Sequence, residues 1–270
     1  MNKILLLLFI TSFFSCASKN KVDKFRVQEY LTVTKNDSYS MVSREQLNEI
    51  LPVNPDPSIE CELKLYEKAN SDFKVLYIDF KKNAGLLTKM ASCLYLQGKK
   101  YLALQFLERA LPLSTPQDKM SVLINLGAYY HSEGSFKKAL EYYSQAKKIE
   151  PDNSLLKLSM GRLMLMVGQI DRAYNNLKDV YLAAPYDPEV VHAMGTAFML
   201  RKEYDSAIKT YAILRDEFLE RRDIAINYAL ALHYDGKTQK ALDVLESSDK
   251  TDIAQLEAKY QKAYSQFKSE

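Results

Sequence analysis

The side chains able to do chemistry are few and widely spaced. Three histidines (His131, His192 and His233) and three cysteines (Cys16, Cys61 and Cys93) are the whole stock of imidazole and thiol groups. A protein zinc site gathers three or four such ligands about 2 Å from one ion. Neither a Cys-x-x-Cys nor a His-Glu-x-x-His pattern occurs to bring them together. There is no Gly-rich phosphate loop and no Gly-x-Ser-x-Gly turn to expose a nucleophile. Glu141 with Gln145, and Asp171 with Asn175, fall at ordinary helix-surface spacing. The expectation is a protein that is not an enzyme and needs no metal or cofactor. A formal charge of +3, with no block of five basic residues, argues against a nucleic-acid partner.

Cys16 differs from the other cysteines in its setting. A basic start at Lys3 leads into a mostly apolar run, Ile4 to Phe14, which stops at Ser15-Cys16 and gives way to the polar stretch Ser18 to Lys21. The run is shorter than the about 20 residues that span a bilayer, and it fits the apolar region of a secretory signal. The junction resembles the bacterial lipobox, in which a small residue precedes a cysteine that is lipid-modified after cleavage; Phe13 departs from the aliphatic residue usual three places before it. The resemblance implies a signal peptide over 1–15, lipidation at Cys16, and a membrane partner reached through that lipid. Acyl chains contribute roughly 0.8 kcal/mol per buried methylene, enough for several on one cysteine to anchor the chain. Ala17, rather than Asp, favours the outer membrane by the sorting rule of enteric bacteria. For Cys61 and Cys93, an oxidising compartment permits a disulfide, but the favoured reading is two small, buried, unpaired thiols.

What positions these residues is a repeat. Ala139, Ala173, Ala207 and Ala241 are spaced by 34 residues, Gly127, Gly161 and Gly195 keep the same step, and so do Pro151 and Pro185. Counting copies from residues 120, 154, 188 and 222, with an earlier one from 84, puts seven of the eight glycines at repeat position 8 or 15. At position 15 glycine suits the left-handed turn after a helix. At position 8 it falls mid-helix, where it costs up to about 1 kcal/mol against alanine. Close approach of two antiparallel helices offsets that cost, because a small residue lets the axes come together.

The copy Leu126-Gly127, Tyr130, Gly134, Phe136, Ala139, Tyr143, Ala146, Pro151 resembles the tetratricopeptide repeat, and the resemblance extends over roughly residues 84–250. It implies an all-α fold: a right-handed α-solenoid of helix pairs with a concave groove lined by the first helix of each pair. The repeats are expected at 84–119, 120–153, 154–187, 188–221 and 222–250. A C-terminal capping helix over 251–270 carries Ile253, Leu256, Tyr260, Tyr264 and Phe267 on one stripe. Upstream, 16–57 reads as the lipidated cysteine and a linker, with a short helix from Ser43 broken by Pro52, Pro55 and Pro57. Residues 58–83 are a helical cap or a degenerate repeat.

In this family, positions 2, 5, 6, 9, 12 and 13 face the groove. That assigns Ile124, Leu158, His192 and Ile226 to it from position 5; Asn125 and Asn227 from position 6; Ala128, Arg162, Thr196 and Leu230 from position 9; and His131, Leu165, Met199 and His233 from position 12. Read this way, Leu158, Leu165, Met166, Met199 and Leu200 form an exposed apolar stripe that would mark a partner site, with Asn125, Arg162 and Asn227 holding a peptide backbone or carboxylate. The implied partner is a protein or peptide segment. The plan is similar to that of tetratricopeptide lipoproteins that assist type IV pilus secretins, and is shared with envelope lipoproteins that organise murein hydrolases.

Overall fold

The computed structural model describes residues 66–80, 82–249 and 254–269, together with Pro57 and Cys61. The expected signal peptide, Cys16, the linker and the helix from Ser43 lie outside the described residues. The chain divides into two compact units, with the division between Asn125 and Leu126.

In the N-terminal unit, α1 (Tyr66–Phe80), α2 (Ala84–Leu96) and α3 (Lys100–Ala110) are followed by a 3-10 turn at Leu111–Leu113 and the start of α4 (Pro116–Ser132). Asn83 caps α2, its side chain accepting from the Leu86 amide at 2.8 Å. Gly98, at φ 78°, ends the same helix. The amides of Gly98 and Lys99 reach back to the carbonyls of Tyr95 and Leu94, each at 2.9 Å, satisfying two carbonyls the helix leaves open. The small residues expected at helix contacts, Ala91, Ala103 and Ala110, are all buried. Cys61 and Cys93 are joined by a disulfide with Cα atoms 5.4 Å apart, so the expectation of two unpaired thiols is overturned. They stand 32 residues apart in a sequence that gives no sign of their meeting. The bridge lies in a buried cluster with Ala69, Phe73 and Leu86, and thereby ties Cys61 to α2 beneath α1.

The C-terminal unit continues with α5 (Phe136–Ile149), α6 (Ser154–Met166), α7 (Ile170–Ala183), α8 (Pro188–Leu200), α9 (Tyr204–Tyr211), the single turn α10 (Asp216–Leu219), α11 (Arg222–Tyr234), α12 (Thr238–Ser247) and α13 (Ala254–Ser269). From α6 onward each long helix packs on its chain neighbours, and the first helices of successive pairs, α6, α8 and α11, also lie against one another. The mid-helix glycines are where the pairs close. A Cβ on Gly161 would stand 2.6 Å from Leu177, and one on Gly195 2.6 Å from Tyr211. Ala139, Ala173, Ala207 and Ala241 are all fully buried. The turn that Gly134, Gly168 and Gly236 make is made in the fourth copy by Lys202, at φ 64°.

That fourth copy also has a short second helix. α9 stops at Tyr211, whereas α5 and α7 each run for 14 residues. Leu214 and Phe218 then turn inward and are buried. The segment ends tied to the next pair by the Asp249 amide, which donates to the Glu220 carbonyl at 2.7 Å. α13 packs on α11 and α12. Phe267 is buried and stacks on the His233 ring with centroids 4.2 Å apart. The guanidinium of Arg222 lies 3.7 Å from the centre of the Tyr260 ring. The last helix thus covers apolar and cationic surface that the preceding pair leaves open, as the end of a solenoid requires.

Candidate functional site

The candidate residues lie on the first helices of the pairs, in each unit by itself. In the N-terminal unit, Ile124 is buried and Asn125 half-buried. The Asn125 amide donates to the Ser121 carbonyl at 2.9 Å, and its side-chain oxygen accepts from the Ser92 hydroxyl at 3.1 Å. Ser92 stands at position 9 of its copy, so the polar pair links α2 to α4 along the expected stripe.

In the C-terminal unit the apolar members of the stripe are not exposed. Leu165 and Met199 each keep 4% of their surface, and Leu158, Ile226 and Leu230 are buried with them. The exposed apolar stripe expected from these positions is therefore corrected. Adjacent first helices lie close enough that positions 5 and 12 wedge between them, and Leu158 and Leu165 pack with Val190, Ala193, Met194 and Ala197. Met166 and Leu200 remain half-buried, as does Ala128. His131 is buried, its ring edge-on to Phe136. Burial, aided by the Arg162 charge, lowers its pKa to about 3. His233 is half-buried, with Nδ1 3.1 Å from the Thr238 hydroxyl.

What the geometry gathers instead is a polar network across α6, α8 and α11. Arg162 and Arg221 both grip Glu189; the Arg221 bond is 2.7 Å. Arg221 also bonds Asp223 at 2.9 Å. Asp223 lies 3.6 Å from His192 Nδ1, and the other ring nitrogen is 2.9 Å from the Asn227 amide. Asn227 donates in turn to the Thr196 hydroxyl at 3.0 Å, which is 3.2 Å from the Tyr211 hydroxyl. Burial pushes the Glu189 carboxyl upward, but the two guanidiniums outweigh it and hold it well below the usual carboxylate range. For Asp223 burial again works upward and Arg221 with His192 prevails, so its pKa is lowered. Burial draws the pKa of His192 down to about 4 in spite of Asp223 beside it, which keeps the imidazole neutral at pH 7.

The arrangement is one of fixed charges, each held by partners within the protein. Arg162, Glu189 and Arg221 keep side-chain exposures of 12%, 18% and 17%, somewhat more than the buried His192, Asp223 and Asn227 beside them. Asn227, expected to hold a partner, is engaged inside the protein. Arg162, also expected to hold a partner, is engaged with Glu189 inside the protein and keeps 12% of its side-chain surface. Glu189, Arg221, Asp223 and Tyr211 were not singled out from the sequence. Glu189 and Asp223 stand at position 2 of consecutive copies, 34 residues apart, and that acidic pair was a readable sign; Arg221, just before its helix, offered none. Among the described residues no group of three His, Cys, Asp or Glu side chains is placed to hold a metal ion.

Comparison with known proteins agrees with this fold. Residues 121–153 match the family model of the tetratricopeptide repeat. The chain is similar to the BBSome complex member BBS4 of Bos taurus, at 23% identity over 126 residues, covering 47% of this chain and 24% of that protein. It therefore spans about a quarter of that relative. Among solved structures it resembles the APC/C hetero-tetramer Cut9-Hcn1, with a TM-score of 0.64 and 16% identity over 76% of this chain and 40% of that one. It also resembles TTC0263, a thermophilic TPR protein of Thermus thermophilus, with a TM-score of 0.53 and 20% identity over 66% of this chain and 96% of that one. Helix pairs closed at small residues, a matched repeat and two neighbours of this fold lead to one assignment: the chain is an all-α solenoid of tetratricopeptide-type helix pairs, with a tetratricopeptide repeat matched at residues 121–153.

Proposed function

We propose that this chain is a lipid-anchored scaffold of the bacterial cell envelope, facing the periplasm, which holds a segment of a partner protein on its first helices. The observation that carries the reading is the partly exposed charged row that joins α6, α8 and the start of α11, beside a fully bonded buried set. An Arg162–Glu189–Arg221 row fixed by its own partners is preorganised to meet a backbone or a carboxylate without reordering. The apolar run ending at Cys16 supports the anchor. The Cys61–Cys93 bridge supports an oxidising compartment, because disulfides are rare in reducing cytosol. No helix among the described residues is long and apolar enough to cross a membrane. The shared plan with secretin-assisting lipoproteins supports assembly of a pilus or secretin as the task, in the outer membrane. An adaptor for peptidoglycan hydrolases is the alternative.

Two measurements test it. Cys16→Ala should abolish palmitate labelling and release the protein from the membrane; labelling that persists removes the anchor from the proposal. Crosslinking in intact cells, followed by identification of the attached protein, should recover a secretin or pilus component, whereas recovery of a hydrolase selects the adaptor. Arg162→Gln leaves Arg221 to hold Glu189, so it should lower the crosslinking yield severalfold at unchanged helical content. An unchanged yield would move the binding face elsewhere.

A further inference from the structure

The N-terminal unit carries a second recognition feature, away from the first-helix stripe. A cavity of about 220 Å³ opens between α1, α2 and α3, walled by Phe73, Tyr77, Met90, Leu94, Leu102 and Phe106. Its position on α2 separates it from the stripe. Thr88, Ser92 and Tyr95 share one face of that helix, at repeat positions 5, 9 and 12. Met90 and Leu94 are offset by two residues, and at about 100° per residue they fall roughly opposite. The cavity is smaller than the about 300–1,000 Å³ that drug-sized ligands occupy. It is the size for one or two apolar side chains inserted as anchors.

The walls are aromatic and held in place. Tyr77 and Phe106 meet edge to face with centroids 6.1 Å apart. Arg109 donates to the Tyr77 hydroxyl at 2.5 Å and lies over the same ring. Phe73 belongs to the buried cluster around the disulfide, so the bridge braces the α1 wall. The mouth is not closed by the described residues: Leu102 is 40% exposed, and Tyr101 beside it 72% exposed.

Charge identifies the occupant. Lys74 lines the cavity and Arg109 borders it. Over residues 66–113 there are eight Lys and Arg against four Asp and Glu. Asp72 and Glu108 fall on the sides of α1 and α3 away from the cavity residues; Glu67 shares the face of Lys74 but stands two turns before it, at the start of α1. An apolar pocket with a basic rim is complementary to an apolar anchor flanked by carboxylates.

We propose that this cavity is a docking pocket for an acidic peptide segment of a partner protein, which inserts a Leu or Phe side chain between α1 and α3 and sets its carboxylates against Lys74 and Arg109. It is independent of the first-helix face and stands or falls separately from the function proposed above.

The test uses the full chain and fluorescence anisotropy with a fluorescein-labelled peptide, Glu-Glu-Leu-Phe-Glu-Glu. Saturable binding is expected, lost when Leu-Phe is replaced by Ala-Ala and when the four glutamates are replaced by lysines. Leu102→Glu places a carboxylate at the exposed mouth and should weaken binding at least about tenfold. Lys74→Glu, at an exposed position that packing does not depend on, should weaken it severalfold and reduce its salt dependence. Arg162→Gln should leave it unchanged. Absence of saturable binding to the unmodified chain, equal affinity for the lysine peptide, or undiminished binding in both variants would overturn the proposal.

Discussion

At the scale of single residues, the protein's most consequential groups are the ones it has buried with charge on them. Glu189 sits between two guanidiniums and Asp223 between Arg221 and His192, so each buried charge has a partner and the imidazole is left neutral. Removing Glu189 leaves two guanidiniums without their shared carboxylate, and breaking a buried pair costs roughly 3–5 kcal/mol. Glu189→Gln, which keeps a hydrogen-bond acceptor, should therefore destabilise the C-terminal unit by on the order of 3 kcal/mol in urea unfolding followed by circular dichroism. A loss within error of zero would mean that water, not the network, solvates Arg162 and Arg221.

The histidines add a pH dependence of definite sign. His192 has its pKa lowered from the ordinary 6.5 to about 4, and His131 to about 3. Between pH 6.5 and about 4 the unfolded chain binds a proton at each of these positions that the folded chain does not. Stability fully present at neutral pH is thus lost as the pH falls through that window, by up to about 1.4 kcal/mol per pH unit for each histidine. Glu189 and Asp223, both lowered, lose their share in the same direction at more acid pH. Urea midpoints measured from pH 7 to pH 5 should fall, and more gently in His192→Gln; a level profile in the unmodified protein would show that neither ring is shielded.

At the scale of elements, the helix pairs are set by what stands opposite repeat position 8. Gly195 faces the ring of Tyr211, which is fully buried and pinned by Thr196 and the His192 carbonyl. Gly161 faces the branched end of Leu177, which can give way more readily. Gly195→Ala should cost about 1–3 kcal/mol, as overpacking of a close contact does, and Gly161→Ala less. Equal losses, or a gain from the better helix former at either site, would show that the pairs have room to spare. The short α9 belongs to the same scale: the chain leaves the helix at Tyr211 to bury Leu214 and Phe218, although neither glycine nor proline marks the exit.

At the scale of the whole molecule, the chain comprises two compact units, each with its own buried core, and the N-terminal one is fastened by a covalent bridge. Closing a loop of 32 residues restricts the unfolded chain, and bridges of this kind typically contribute about 2–4 kcal/mol. Cys93→Ser should lower the stability of the N-terminal unit by that amount, and dithiothreitol should do the same to the unmodified protein. Thermal unfolding that is indifferent to both would show the bridge to be dispensable. Because Phe73 shares its cluster, loss of the bridge should also loosen the α1 wall of the cavity.

The helix pairs, their 34-residue step and the inward faces of the alanines and glycines were legible in the sequence alone. Each follows from local rules, a backbone turn or a close approach, that a single copy states and its neighbours repeat. The nature of the first-helix surface was not legible. Position 5 or 12 tells which way a side chain points, but only the distance between successive first helices decides whether Leu165 and Met199 meet water or one another. The same distance brings Glu189 to Arg162 and Arg221, and Asp223 to His192, across helices that no local pattern relates. Cys61 and Cys93 paired for the same reason, since a covalent bond needs two chain segments at one place, and placement is a property of the folded whole.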